Sequence, residues 1–377
     1  MAIYCFTLSA LAGLGILTER KKRLTEVYMG GAFLLLVFVS SFRYAIGFDY
    51  FSYRTIYDFV SGWSFGEIMQ FYWMEPLYFI LCKICSLAGC SYPVFLLIIN
   101  VFLMAASIHF IYRCSKLPWV SVFLFVCLQF LAHDMNLIRQ SIAAAFFLLA
   151  YPSLKDRRLL PYTLLIITGG LFHNSLLFVY PLYFLLPKKI SRNCLICLTG
   201  LTITVYVLFD PLFLLIRPFL PLKYAAYLGG YFWNPNGFSF VVLPALYCLL
   251  IYLFRNRIKH PLHQTIYVNS ALYCCIINLF ITKHFILERF AVYPFLLSLL
   301  AIPEIICSYQ ENESAGMSTS AFLNKKERGR KPVLTYRRTL LLFLIFGMIY
   351  FTFAAINGYH HVYPYTSLLD ESSSTPY

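Results

Sequence analysis

Apolar residues fill the 377-residue chain in long runs, at 2–17, 27–41, 76–88, 93–112, 118–131, 137–151, 161–172, 176–186, 194–209, 238–254, 265–281, 290–306 and 339–356. The runs are continuous. A transmembrane β-barrel would show alternating apolar and polar positions instead. A helix needs about 20 apolar residues to cross hydrocarbon, and in it every backbone group is satisfied within the helix. Several runs are too short to cross alone, notably 76–88 and the pair that flanks His173. They are expected to be half-helices or re-entrant segments. The pattern predicts an all-α, polytopic integral membrane protein, a single membrane domain over 1–377, with about ten to twelve membrane helices.

Composition agrees with the pattern. The chain is 60% hydrophobic and only 12% charged, too little polar surface to coat a soluble core of this size. That excludes a cytosolic globular enzyme, a disordered chain and a disulfide scaffold. Most of the 30 Lys and Arg residues fall in short clusters: Arg20–Arg23, Arg113 with Lys116, Lys155–Arg158, Lys188–Arg192, Arg255–Lys259 and the tract from Lys325 to Arg338. The positive-inside rule puts such clusters in the cytoplasm, so the net charge of +14 is mostly a topology signal. Bases divided among loops do not make a nucleic-acid surface. The rule then expects an external loop at about 42–75, an external aromatic-rich loop at about 210–237 and a mobile cytoplasmic linker at about 308–338. Between Phe42 and Arg113 two full crossings would break the alternation, so the 76–88 helix is expected not to cross fully. No basic residues precede the first apolar run, which fits a first helix with an external N-terminus rather than a cleaved signal.

Twelve cysteines include two CxxC spacings, Cys82–Cys85 and Cys194–Cys197. Both lie in apolar helical context without a second ligand pair, and read as packing residues. There is no HExxH, no Walker-type loop and no paired-aspartate motif, so no metal and no cofactor is expected.

The bases outside the clusters carry the chemistry. Charge at membrane depth is costly and marks function by default. Phe42-Arg43-Tyr44-Ala45-Ile46-Gly47-Phe48-Asp49-Tyr50-Phe51-Ser52-Tyr53 joins an arginine, a flexible glycine, a carboxylate and aromatic rings. Its plain alternative is a headgroup-anchoring loop. His133-Asp134-Met135-Asn136-Leu137-Ile138-Arg139-Gln140 crowds polar groups at a helix start, where unbonded N–H groups and the dipole favour an anion. Arginine suits a diphosphate there because its planar fork holds two oxygens and stays charged. A structural cap is the alternative. His173-Asn174-Ser175, after Gly169-Gly170, interrupts an apolar stretch, and broken helices at membrane depth line cavities. Glu288-Arg289-Phe290-Ala291-Val292-Tyr293-Pro294 opens a further helix, Val362-Tyr363-Pro364-Tyr365 lies in the tail, and Glu75 stands where a helix cap would.

In their order, FRYAIGFDYFSY, EPLY, NLIRQSIA, LFHNS, ERFAVYP and VYPY resemble the EpsG-like branch of Wzy-type bacterial polysaccharide polymerases, from about Phe42 to the C-terminus. The resemblance implies an inner (cytoplasmic) membrane enzyme of capsule, exopolysaccharide or O-antigen synthesis, with a fold related to membrane glycosyltransferases that use lipid-linked donors. Its partners would be the lipid bilayer, a glycan on undecaprenyl diphosphate and a chain-length regulator, with no nucleic acid. Such an enzyme transfers the growing glycan from one lipid diphosphate to a sugar hydroxyl of the next unit. Arg43, Arg139 and Arg289, with Gln140, would then stabilise the departing diphosphate. His173 and Asp49, with Glu75 behind them, are the candidates to receive or orient the acceptor proton. Tyr50, Tyr53 and Tyr293 would position sugars, and the 224–233 segment would serve as a lid.

Other classes fit less well. A transporter or flippase should show related repeats, and the sequence has none. An O-antigen ligase should carry a much larger basic external loop. An acetyltransferase should show a cytoplasmic acyl-CoA site.

Overall fold

A computed structural model describes residues 2–19, 22–72, 75–219, 239–320 and 335–371. The expected lid at 224–233 and the basic tract at 325–331 lie outside them. Among the described residues the protein is all-helical, and the only β pairing is one isolated bridge between Arg43 and Ser367. Among the described residues five helices are long and apolar enough to span: Arg23–Ser41, Tyr92–Cys114, Pro261–Ile281, Phe285–Gln310 and Tyr336–Ile356. Two bent pairs raise the number to seven, and four shorter apolar helices accompany them. The protein is therefore a multi-pass membrane protein, built with the short and broken segments that the run lengths imply.

Contacts divide the chain into two compact units, Met1–Leu177 with Ile302–Tyr377, and Phe178–Ala301. In the first, the helices are α1 (Ala2–Thr18), α2 (Lys22–Ser41), α3 (Tyr50–Ser61), α4 (Phe65–Tyr72), α5 (Pro76–Leu87), α6 (Tyr92–Cys114), α7 (Pro118–Cys127), α8 (Phe130–Asn136), α9 (Ile138–Lys155) and α10 (Leu159–Gly170). The central α6 packs against both α2 and α9, while α7 carries α1 and the late helix Tyr336–Ile356. Proline at the first turn starts α5, α6 and α7, where its missing N–H costs nothing. The apolar helices α7 and α9 are buried around most of their circumference, as core helices are.

Three sequence expectations change. The stretch expected as an external loop at 42–75 contains the amphipathic helices α3 and α4. Tyr50, Tyr53, Tyr57 and Val60 form the buried stripe of α3, spaced by helical turns. The run at 118–131 is broken: α7 and α8 meet at 53° across Leu128 and Gln129, and Gln129 adopts a left-handed φ of 68°. The linker at 308–338 begins as helix, because the helix from Ser298 continues to Ser320. As expected, α5 has only 12 residues, about 18 Å at the α-helical rise, too short to cross.

Helices α9 and α10 form a tightly packed hairpin. Gly169 makes its end possible. A Cβ there would stand 2.6 Å from Phe146 Cβ and 2.5 Å from Leu176 Cδ2, so only glycine lets the chain fold back at this point. His173 follows directly.

The second unit begins at Phe178 and holds the short turn Leu182–Leu185 and then longer helices. Arg192–Val207 bends by 72° into Phe209–Leu215. Ser239–Phe254 packs on Pro261–Ile281, which packs on Glu288–Leu296. Asn269 ties this unit together by donating to the carbonyls of Leu185, Leu186 and Lys188.

Candidate functional site at the start of helix α9

A single residue, Leu137, separates α8 from α9, so the chain turns within the protein and presents the first turn of α9. Arg139 lies in that turn. Its Nη1 donates to Glu75 Oε2 at 3.0 Å. The other Glu75 oxygen accepts the backbone N–H of Asn174 at 3.0 Å. Glu75 therefore does not cap α5, which it precedes; it bridges two distant segments. The Glu75 side chain is 6% exposed and that of Arg139 is 24% exposed. The guanidinium also lies 5.7 Å over the Phe79 ring, a cation–π distance. The Arg139 N–H donates to the Tyr53 hydroxyl at 3.5 Å. Gln140, next in the turn, is buried.

His173 sits in the break after α10, buried, with its N–H donating to Gly169 O. The Ser175 N–H donates to His173 Nδ1 at 3.2 Å, and Ser175 Oγ lies 2.8 Å from the same nitrogen. A backbone N–H is always a donor, so Nδ1 is an acceptor and the neutral ring carries its proton on Nε2. In this tautomer His173 donates a hydrogen bond; its basic nitrogen is already engaged. Leu77 N–H donates to Leu171 O, tying the start of α5 to the same break.

Asp49 stands at the N-cap of α3, half-buried, with no side-chain cap bond. Its backbone N–H donates to Asn136 Oδ1 at 3.2 Å. Gly47 allows this approach: its φ is +96°, and a Cβ would stand 3.0 Å from Met135 O and 3.1 Å from Asn136 Cα. Tyr50 and Tyr53 face inward. Burial raises the Tyr53 phenol above its usual range, Arg139 opposes the shift and Asp49 reinforces it.

Arg43 is different: only 1% of it is exposed. Nη1 donates to Ser40 O, and Nε has no partner among the described residues. The groups that bear on its charge are the phenols of Tyr92, Tyr50, Tyr4 and Tyr365. The C-terminal segment closes over it. Tyr44 N–H donates to Thr366 O, Leu368 N–H to Phe42 O and Gly47 N–H to His361 O. Tyr4 and Tyr365 donate to Val362 O and Val39 O. The VYPY tail thus belongs to the same region as the first motif.

In the second unit, Arg289 and Tyr293 lie one turn apart on Glu288–Leu296; Arg289 is half-buried and Tyr293 fully buried. Lys283 Nζ donates to Asp210 Oδ2 at 3.2 Å and sits 5.0 Å over the Tyr206 ring.

The structure thus brings Arg139, Glu75, Tyr53 and the His173–Ser175 break together, with Asp49 joined through Asn136. Two histidines join them: His133, from the polar motif before α9, and His360, which the sequence did not single out. His133, on α8, places Nδ1 3.0 Å from Ser141 Oγ, and His360 Nδ1 lies 3.3 Å from Asn136 Nδ2. A polar crowd before α9 was visible in sequence, but no local spacing foretells a partner 224 positions away.

An all-helical, multi-pass protein whose charged side chains gather at a broken helix, and pair across distant segments, defines a membrane protein with a polar site at a helix end. The chain belongs to the EpsG family, whose model matches residues 27–323. That membership indicates a role in polysaccharide polymerisation. The comparisons found no matching curated protein and no matching solved structure.

Proposed function

We propose that the protein polymerises glycan repeat units carried on undecaprenyl diphosphate, at the outer face of a bacterial inner membrane. The observation that carries this reading is the Arg139–Glu75–Asn174 connection at the start of α9. A guanidinium with accessible area, at a helix N-terminus, is matched to a diphosphate. Glu75 neutralises it while the site is empty. An arriving diphosphate competes for the same fork, so the charge is held ready rather than left uncompensated in an apolar surrounding.

In this reading the glycan's anomeric carbon leaves one lipid diphosphate and bonds to a sugar hydroxyl of the next unit. Negative charge grows on the bridging oxygen as the bond breaks, and Arg139, with Gln140 beside it, stabilises it. His173, as an Nε2–H donor, binds a substrate oxygen, and Asp49 orients the acceptor hydroxyl. The Tyr53 hydroxyl holds the first turn of α9, while buried Tyr50 forms a wall. Arg43, enclosed by tyrosines, acts through its field and through the segment it anchors. The partners of this reading are the lipid-linked glycan, the bilayer and a chain-length regulator; no nucleotide or metal is called for.

The test is polymerisation in nanodiscs with the host's lipid-diphosphate-linked repeat unit, without nucleotide sugar or added metal. Wild type should give a ladder of whole repeat units, and Arg139→Ala should abolish it with folding intact. Movement of intact substrate across a sealed vesicle, without a ladder, would replace this reading with a flippase.

A further inference from the structure

On α8, in the same polar motif as Arg139, lies a second imidazole with the opposite hydrogen-bond arrangement from His173. His133 is 8% exposed. Its Nδ1 faces two oxygens, Ser141 Oγ at 3.0 Å and Asp134 Oδ1 at 3.7 Å. Ser141 Oγ also lies 3.3 Å from the His133 carbonyl, an obligate acceptor to which its single proton goes. The hydroxyl oxygen therefore accepts from Nδ1–H. A carboxylate on the same side favours the same tautomer. The proton thus resides on Nδ1, and Nε2 carries the lone pair. That Nε2 is buried and has no hydrogen-bond partner among the described residues. A buried polar atom left without a partner costs free energy, and so calls for an explanation.

The ring packed against His133 is also unusual. The His360 ring stands across the His133 ring at 5.7 Å and 85°. His360 lies in a turn where Gly358, His360 and His361 all have positive φ, at 67°, 57° and 52°. Such a conformation is uncommon for a residue with a side chain and persists where the surroundings impose it. Here the restraints are Gly47 N–H on His361 O, the His360–Asn136 contact and the stacking of Phe48 on His361. All three come from the two motifs that also place Asp49 and Arg139.

We propose that His133 Nε2 is the general base of glycosyl transfer, with Ser141 fixing its tautomer and the His360 turn as its displaceable cover. This rests on the polymerase reading and adds to it the group that takes the proton. As the acceptor oxygen bonds to the anomeric carbon, its proton passes to His133 Nε2. The anomeric C–O bond breaks in the same step, and its electron pair leaves with the lipid diphosphate. His133 then returns the proton to water or to the released diphosphate, so the ring ends neutral. His173 keeps a donor role and Asp49 an orienting one.

The experiment compares wild type with His133→Ala, His133→Gln and Ser141→Ala in the nanodisc assay, with saturable binding of the lipid-linked unit measured in parallel. His133→Ala should lower the polymerisation rate 100-fold or more, a general-base effect, with binding within about twofold. Added imidazole should restore a substantial part of the His133→Ala rate, which a packing role would not permit. His133→Gln keeps the volume and should be as slow. Ser141→Ala should cost about tenfold and respond little to imidazole. A wild-type ladder that survives His133→Gln within threefold overturns this assignment and leaves the polymerase standing. So does a His133→Ala enzyme that folds, binds and ignores imidazole. No ladder from wild type overturns both.

Discussion

The ion pairs Arg139–Glu75 and Lys283–Asp210 have similar lengths, 3.0 and 3.2 Å, in different surroundings. Glu75 is 6% exposed, Asp210 54%. Glu75 is held by a second bond from a third segment, while among the described residues Lys283 adds the Tyr206 ring. The same charge chemistry therefore has two meanings. In an exposed pair, water already solvates both ions and closeness adds little. In a buried pair each charge depends on the other, and removing one leaves the other stranded. Arg43 completes the comparison, as a guanidinium enclosed by phenols that has neither exposure nor, among the described residues, a carboxylate partner.

The largest expected effect follows from the buried pair. Arg139→Ala should abolish polymerisation and also destabilise the protein by about 3–5 kcal/mol, because Glu75 loses its countercharge. Adding Glu75→Ala should recover part of that stability and none of the activity. Denaturant unfolding in micelles, run as a double-mutant cycle, measures the coupling. Additive losses would show that the two side chains are independent and would remove the pair from the argument. Arg139→Lys keeps the charge but loses the planar fork, and should retain much more stability than activity.

Next comes the support beneath the pair. Gly47→Ala puts a side chain at positive φ and against Met135 O. It should cost more than about 1 kcal/mol and should also slow polymerisation, since Asp49 and Asn136 separate. A thermal shift beside the ladder assay reads both. Full activity with a lowered melting temperature would mean that the Asp49–Asn136 bond serves the fold alone.

How much of this could be read in the sequence depends on the range of each interaction. Continuous apolar runs announce helices because the period of a helix is local, and α6 or the 336–356 span follows directly. Arg139 at a helix start is equally local. The stripe of α3 was present in the spacing of Tyr50, Tyr53, Tyr57 and Val60, yet the aromatic and polar mixture of 42–75 reads as a loop when composition outweighs period. Glu75 looks like a cap from its neighbours, since Pro76 follows. Only the folded chain shows its carboxylate engaged by residues 64 and 99 positions away. The tautomers of His173 and His133 are set by the same kind of evidence, a serine placed two residues on in one case and eight in the other. Motif order grouped the right segments; hydrogen bonds assigned their roles.

A smaller effect belongs to the exposed pair. Lys283→Ala should change stability by no more than about 1 kcal/mol, and salt should shrink the difference further. A loss several times larger would mean that the bend at Phe209 depends on this bridge and that exposure is a poor guide here.

The smallest effect concerns the C-terminal segment that encloses Arg43. Asp370 Oδ2 accepts from Ser367 N–H at 2.6 Å and Ser367 Oγ at 2.9 Å. Those two bonds hold its carboxyl below the usual aspartate range. A carboxylate whose folded value is depressed contributes its stabilisation above the unfolded value, about 3.9, and loses it as pH falls through the folded value. The turn at Ser367, and with it the Leu368–Phe42 bond, should therefore stay protected at neutral pH and loosen only in acid. Amide exchange at Ser367 and Leu368, corrected for intrinsic rates, should accelerate below the usual aspartate range in wild type. Asp370→Asn removes the titrating group, so its exchange should be faster at neutral pH and flat into acid. Equal acid dependence in both proteins would assign the loosening to some other carboxylate, and the hold on Arg43 would then rest on the remaining bonds of the segment, Tyr44 with Thr366, Gly47 with His361 and Tyr365 with Val39.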